Sequence, residues 1–183
     1  MKFIETKLKG CFIIEPKIIQ DERGYFMESF NERTFQNAIE QSVHFVQDNQ
    51  SFSARGVLRG LHYQTGEFAQ AKLVRVIQGE VLDVAVDIRP GSATFGQYEA
   101  VVLSAENQKQ FFVPRGFAHG FLVLSEMATF FYKCDNFYNK DSEGGIIFND
   151  LTIGIDWNFE AEKLIISEKD KFLPTLENAK KAW

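Results

Sequence analysis

The segments QAKLVRVIQ, Gln70–Gln78, and EVLDVAVDI, Glu80–Ile88, are short runs dominated by aliphatic residues, many of them β-branched. Runs of this length and composition form strands rather than helices. CFIIEPKII, QYEAVVLS, KQFFVPR, GFLVLS, ATFFYKC and GGIIFND read the same way, and Pro90-Gly91, Asn107, Asp141-Ser142 and Gly144-Gly145 punctuate them. Helical patterning is confined to Asn31–Ile39, where Phe35 and Ile39 lie four apart, and to a segment near Ala161–Lys171. Many short strands with little helix imply a mainly all-β fold: a sandwich, jelly roll or barrel. With no linker, repeat or low-complexity segment, residues 1–183 read as a single domain.

Composition narrows the function classes. The formal net charge of −5 argues against a general nucleic-acid binder, which would carry a basic stripe, but leaves room for a local cationic pocket. Two cysteines, Cys11 and Cys134, give neither a disulfide framework nor a CxxC motif. The opening MKFIETKLKG lacks the apolar stretch of a signal peptide, and no apolar run approaches the roughly 18 residues that span a bilayer. A cytosolic setting is the expectation. Nineteen phenylalanines point to an aromatic-rich interior or interface.

Against this apolar background, a few polar residues stand out. Alternation in AKLVRVI puts Lys72 with Val74 and Val76, and Arg75 with Leu73 and Ile77, so either inward face carries a cation. Such a cation either snorkels from an edge or belongs to a polar site inside the barrel. In ATFFYKC, Tyr132 shares a face with Ala128, Phe130 and Cys134, and its hydroxyl needs a partner or a role. In VPRGFAHGF, His119 follows a tight turn into a strand.

VLRGLHYQ, Val57–Gln64, holds both an arginine and a histidine. Strict alternation would set Arg59 and His62 on opposite faces, one solvated and the other a core residue. The alternative is that both serve one site, which requires a break in register, and Gly60 is where a bulge fits. SEKD, Ser167–Asp170, reads as a helix capping box, or as the source of a carboxylate that orients a histidine.

Taken together, DERGYFMESF, FVQDNQSFS, GVLRGLHYQ, KLVRVIQGEVLDVAVDIR, LSAENQKQFFVPRGFAHGF, YKCDNFY and SEKD make the sequence resemble the dTDP-4-dehydrorhamnose 3,5-epimerase family over essentially the whole chain. PRGFAHGF by itself is similar only to the second motif of cupin jelly-roll barrels. GLHYQTGEFAQ has one histidine where metal-binding cupins carry an HxH pair, so a metal-free cupin is expected, and the family resemblance implies that no cofactor is used.

The resemblance implies a homodimer that inverts C3 and C5 of a dTDP-4-keto-6-deoxyhexose, dTDP-4-keto-6-deoxyglucose. It implies His62 as general base, Asp170 as its partner, Tyr132 as the opposing acid and Lys72 as the group that stabilises the enolate oxygen. Arg59, His119, Gln47, Asp48, Asn49 and Lys169 correspond to positions that bind the sugar nucleotide. Arg23 and Glu28 correspond to positions supplied by the partner subunit, Glu143 to a further binding position, and Tyr138 to the aromatic that stacks on thymine. Ala71 stands where glycine is expected, and Asn158 where proline is common. Two other activities, a single-carbon epimerase and a ketoisomerase, remain compatible with the motifs, as does a catalytically silent sugar-binding cupin.

Overall fold

The structure, a computed structural model, describes residues 1–182. Its elements in order are β1 (Lys2–Glu5), β2 (Phe12–Glu15), β3 (Ile18–Asp21), β4 (Gly24–Met27), α1 (Glu32–Ile39), β5 (Gln47–Ala54), β6 (Val57–Gln64), β7 (Lys72–Gln78) and β8 (Glu80–Asp87). There follow β9 (Tyr98–Ser104), β10 (Gln110–Val113), β11 (Phe117–Val123), β12 (Met127–Cys134), β13 (Glu143–Gly145), β14 (Ile165–Ile166) and α2 (Glu168–Lys171). Two sheets carry the fold. One runs β1-β2-β10-β7-β12-β5; the other runs β13-β6-β11-β8-β9, with β14 pairing in parallel to β6. The fold is mainly β with a few short helices, as expected, in the cupin-type jelly-roll arrangement.

Alternating side chains sort into three apolar layers. Val74, Val76, Phe111 and Phe130 of the first sheet meet Val81, Ala85, Leu103 and Phe121 of the second in a central core. The outer face of the second sheet, with Leu58, Val84, Val86 and Leu122, is covered by residues from the C-terminal third, including Ile146 and Trp157. The outer face of the first sheet is covered by α1 through Phe35 and Ile39, which pack on Leu73 and Phe112. Strands buried on both faces, such as Phe117–Val123, therefore read as unbroken apolar runs.

One cluster of phenylalanines lies under α1. Phe35 touches Phe3, Phe30, Phe45 and Phe112 with ring centroids 5.0–6.1 Å apart, the last pair edge to face. The helix begins where Asn31 accepts from the Thr34 amide, a cap worth about 1 kcal/mol.

Several local expectations need correction. Ala161–Lys171 is not one helix: a single 3₁₀ turn at Ala161–Lys163 is followed by β14 and then by the one-turn α2. Pairing of Ile165 with Val57 and of Ile166 with Leu58 takes that stretch into a strand, a conformation its β-branched residues favour. CFIIEPKII is two strands that Pro16 and Lys17 separate, and GGIIFND contributes only Gly144 and Gly145 to a strand. Strand β5 was not expected, because QDNQSFSA has no apolar face: it borders a polar cavity on one side and lies at the sheet edge.

Candidate active site

A cavity of about 630 Å³ opens between the two sheets, within the range of small-molecule sites. Its walls include Arg59 and His62 from β6, Lys72 from β7, His119 from β11, Asn49 from β5, Tyr132 from β12, and Lys169 and Asp170 from α2.

Arg59 and His62 reach the same cavity because β6 breaks register. His119 pairs with His62 and Phe121 with Arg59, so three steps along β6 match two along β11. The extra residue falls at the glycine expected to absorb it. Gly60 has φ +134, and a Cβ there would lie 2.6 Å from the Gly120 Cα. Only glycine satisfies both the backbone angle and the close strand approach.

His62 Nε2 lies 2.7 Å from Asp170 Oδ1. Both readings of SEKD hold together. The Ser167 hydroxyl accepts from the Asp170 amide, which starts α2, and the short helix aims the Asp170 carboxylate at the histidine. Burial works against that carboxylate, but hydrogen bonds from His62, the Gly60 amide and Ser167 prevail and hold its pKa below the ordinary value. The pairing leaves His62 Nδ1 without a protein partner among the described residues. The side chain is 39% exposed, so Nδ1 is open to a ligand.

The facing wall comes from the first sheet. Burial raises the Tyr132 pKa, which keeps its hydroxyl protonated near neutral pH. Burial lowers the pKa of Lys72, with Asp83 acting in the opposite direction. The Lys72 ammonium lies 5.9 Å from the Tyr132 ring centroid. It makes no hydrogen bond or ion pair among the described residues, so it has donors to offer a ligand oxygen.

A second histidine pair, unforeseen in the sequence, lies deeper. His119 Nε2 sits 2.9 and 3.0 Å from the two carboxylate oxygens of Asp83 on β8. Asp83 is fully buried. A signal was present: in EVLDVAVDI it is a carboxylate between apolar neighbours, on the inward face with Val81 and Ala85. Ser53 was also missed; its hydroxyl accepts from Arg59 Nε at 3.2 Å.

The remaining candidates are more scattered. Gln47 donates to the Asn49 carboxamide, 3.0 Å away, on the inward face of β5. Asp48 points to the opposite face and pairs with Lys133. Glu143 binds the Lys169 ammonium at 2.6 Å, at the rim of the cavity, whereas Tyr138 is exposed. Arg23 pairs with Asp21 at the tip of the β3–β4 hairpin, and Glu28 accepts from Asn31. Neither Arg23 nor Glu28 borders its own chain's cavity. Among the described residues, no group of three or more His, Cys, Asp or Glu side chains is placed to hold a metal ion. No helix among them is long and apolar enough to cross a membrane.

Comparison with known proteins agrees over nearly the whole chain. Residues 5–178 match the family model described as dTDP-4-dehydrorhamnose 3,5-epimerase. The protein of that name from Methanothermobacter thermautotrophicus is 56% identical over 180 residues, which is 97% of this chain and 96% of the relative. The crystal structure of the Elizabethkingia anophelis protein, also a dTDP-4-dehydrorhamnose 3,5-epimerase, superposes with a TM-score of 0.95 at 56% identity, covering 100% and 99% of the two chains. A Legionella pneumophila dTDP-6-deoxy-D-glucose-3,5-epimerase, in complex with dTDP-4-keto-L-rhamnose, gives 0.93 at 50% identity over 97% and 93%. With its cavity geometry and this similarity from end to end, the chain belongs to the dTDP-4-dehydrorhamnose 3,5-epimerase family.

Proposed function

We propose that the chain epimerises dTDP-4-keto-6-deoxyglucose at C3 and C5, with His62, Lys72 and Tyr132 performing the proton transfers. The observation that carries this reading is the placement of a carboxylate-backed histidine and a protonated tyrosine on opposite walls of one cavity. A desolvated lysine lies beside the tyrosine.

His62 Nδ1 removes the proton from a carbon next to the C4 ketone, and the C–H electrons move onto the ketone oxygen. Lys72 donates to that oxygen, where stabilisation of developing charge in a low-dielectric site is worth most. Tyr132 returns a proton to the carbon from the other face, which inverts the centre. Before the next cycle the tyrosinate regains a proton and the imidazolium loses one. Asp170 holds the tautomer that leaves Nδ1 as acceptor and supports the imidazolium. Both carbons flank the same carbonyl, so one site can treat them in turn. Arg59, Asn49, His119 and Lys169 line the space for the remainder of the sugar nucleotide, with arginine suited to its phosphates.

The test is incubation with dTDP-4-keto-6-deoxyglucose in deuterated water. Deuterium at both C3 and C5 is expected; label at one carbon only would replace this reading with a single-site epimerase. Tyr132→Phe should still exchange label at the carbon next to the ketone while failing to invert it.

A homodimer in the cytoplasm follows from the same reading. The β3–β4 hairpin has Ile18, Ile19, Tyr25 and Phe26 all exposed, and its Arg23 does not line its own chain's cavity. An arm of this kind suits exchange between two copies, each hairpin serving its neighbour's site. Mixing inactive Arg23→Ala and His62→Ala chains should then restore about one quarter of wild-type activity, the share of intact sites in a statistical mixture of symmetric dimers. No recovery would place Arg23 in its own chain's site.

A further inference from the structure

The C-terminal tail crosses the outer edge of the β6–β13 pair and grips it from two sides. Tyr63, the neighbour of His62 on β6, donates its hydroxyl to the Lys180 carbonyl at 2.5 Å. The Lys180 ammonium reaches the other way, donating to the carbonyls of Glu143 at 2.9 Å and Asp141 at 3.2 Å. Two residues on, the Ala182 carbonyl accepts from the Gly66 amide, and Ala182 is 1% exposed. One residue is thus tied through its main chain to the strand bearing His62 and through its side chain to the turn that ends in Glu143.

That turn leads to the cavity rim. Glu143 pairs with Lys169, and Lys169 precedes Asp170 on α2. Gly144 next to it lies so close to the Tyr63 ring that a Cβ would stand 2.5 Å away, which leaves the turn one seating against β6. A long side chain capping two carbonyls fixes their orientation, and charge-assisted bonds of this kind are the stronger ones.

We propose that Lys180 is a positioning residue for nucleotide binding: it clamps the Tyr138–Glu143 turn and, through the Glu143–Lys169 pair, sets the rim of the cavity without touching the ligand. The inference rests on the epimerase reading for the identity of the ligand, dTDP or its sugar conjugate, while the clamp itself can be tested without ligand.

The experiment compares wild type, Lys180→Met and Lys180→Arg. Methionine keeps the stem and loses the charge; arginine can still cap both carbonyls. Lys180→Met should raise KM and the Kd for dTDP by roughly three- to tenfold, the loss of one charge-assisted anchor. It should leave kcat within about twofold and the melting temperature nearly unchanged, since the side chain is exposed. Lys180→Arg should restore affinity. In the unliganded protein, amide exchange across residues 138–145 should quicken in Lys180→Met alone. Unchanged exchange and affinity in Lys180→Met would overturn the proposal. So would a fall in kcat and melting temperature at constant KM, which marks a merely structural contact. Wild-type protein that fails to bind dTDP would sink the choice of ligand, while faster exchange in Lys180→Met would still establish the clamp.

Discussion

Two histidine–carboxylate pairs face one cavity, yet they are built differently. His62–Asp170 joins residues 108 positions apart, and its imidazole is 39% exposed. His119–Asp83 joins neighbouring strands of one sheet, with the histidine 6% exposed and the aspartate fully buried. A group that must take up and release protons needs an open nitrogen and access to water. Asp170 grips Nε2 with one oxygen, while its other accepts from the Gly60 amide, 3.3 Å away. Asp83 spends both oxygens on His119 in a dry setting, which suits a fixed hydrogen-bonding wall. Under the proposed mechanism the same pair of residue types serves as a proton-transfer unit in one place and as a rigid binding element in the other, and exposure distinguishes them.

The largest expected effect breaks the open pair. His62→Ala should lower turnover by about 10⁴-fold, at the upper end for loss of a general base, with dTDP binding retained by calorimetry. Turnover at the wild-type rate would end the assignment. Asp170→Asn keeps the shape but loses the charge that fixes the tautomer. A loss of at least about 10²-fold in kcat is expected, with KM little changed.

At the buried pair the order of effects should reverse. Asp83→Asn should cost more in stability than in chemistry: about 1–3 kcal/mol by urea unfolding, for a buried polar network left partly unsatisfied, against a kcat loss of roughly tenfold or less. Equal kcat losses for Asp83→Asn and Asp170→Asn would erase the distinction.

The smallest effect comes from a carboxylate with no histidine. Asp87 lies on β8 four residues beyond Asp83, and the same alternation turns it inward. Burial would raise its pKa, but hydrogen bonds from Arg89, Ser92 and Thr94 outweigh this and hold it at about 2. A folded-state pKa below the unfolded one adds stability above the ordinary carboxylate range, near pH 4, and loses it as pH falls toward 2. Asp87→Asn should therefore flatten the acid side of a stability–pH curve by on the order of 1–2 kcal/mol. Urea unfolding between pH 5 and pH 2.5 measures it.

Much of this was legible where local periodicity and tertiary environment agree. In AKLVRVI the alternation grouped Lys72 with Val74 and Val76, and the structure turns that face inward. In ATFFYKC it grouped Tyr132 with buried Phe130 and Cys134. Reading failed where a neighbour decides the conformation. Strand β5 carries no apolar signal because its inner face meets a polar cavity, and Ile165–Ile166, too short a run to read as a strand by itself, becomes one by pairing with Val57 and Leu58. Asp83 and Asp87 look alike in EVLDVAVDI. Only the side chains opposite them make one a histidine's partner and the other a loop clamp.

By itself the sequence determined the strand-rich architecture, the candidate residues, and a glycine positioned to break the register of VLRGLHYQ. These follow from side-chain volume, alternation and backbone freedom, which are properties of residues and their nearest neighbours. Tertiary structure decided which polar residues share the cavity and which histidine stays open. It also decided that Ser167 caps a helix whose Asp170 reaches back 108 positions to His62. Those outcomes depend on distances between segments far apart in the chain, which are set only when the two sheets pack.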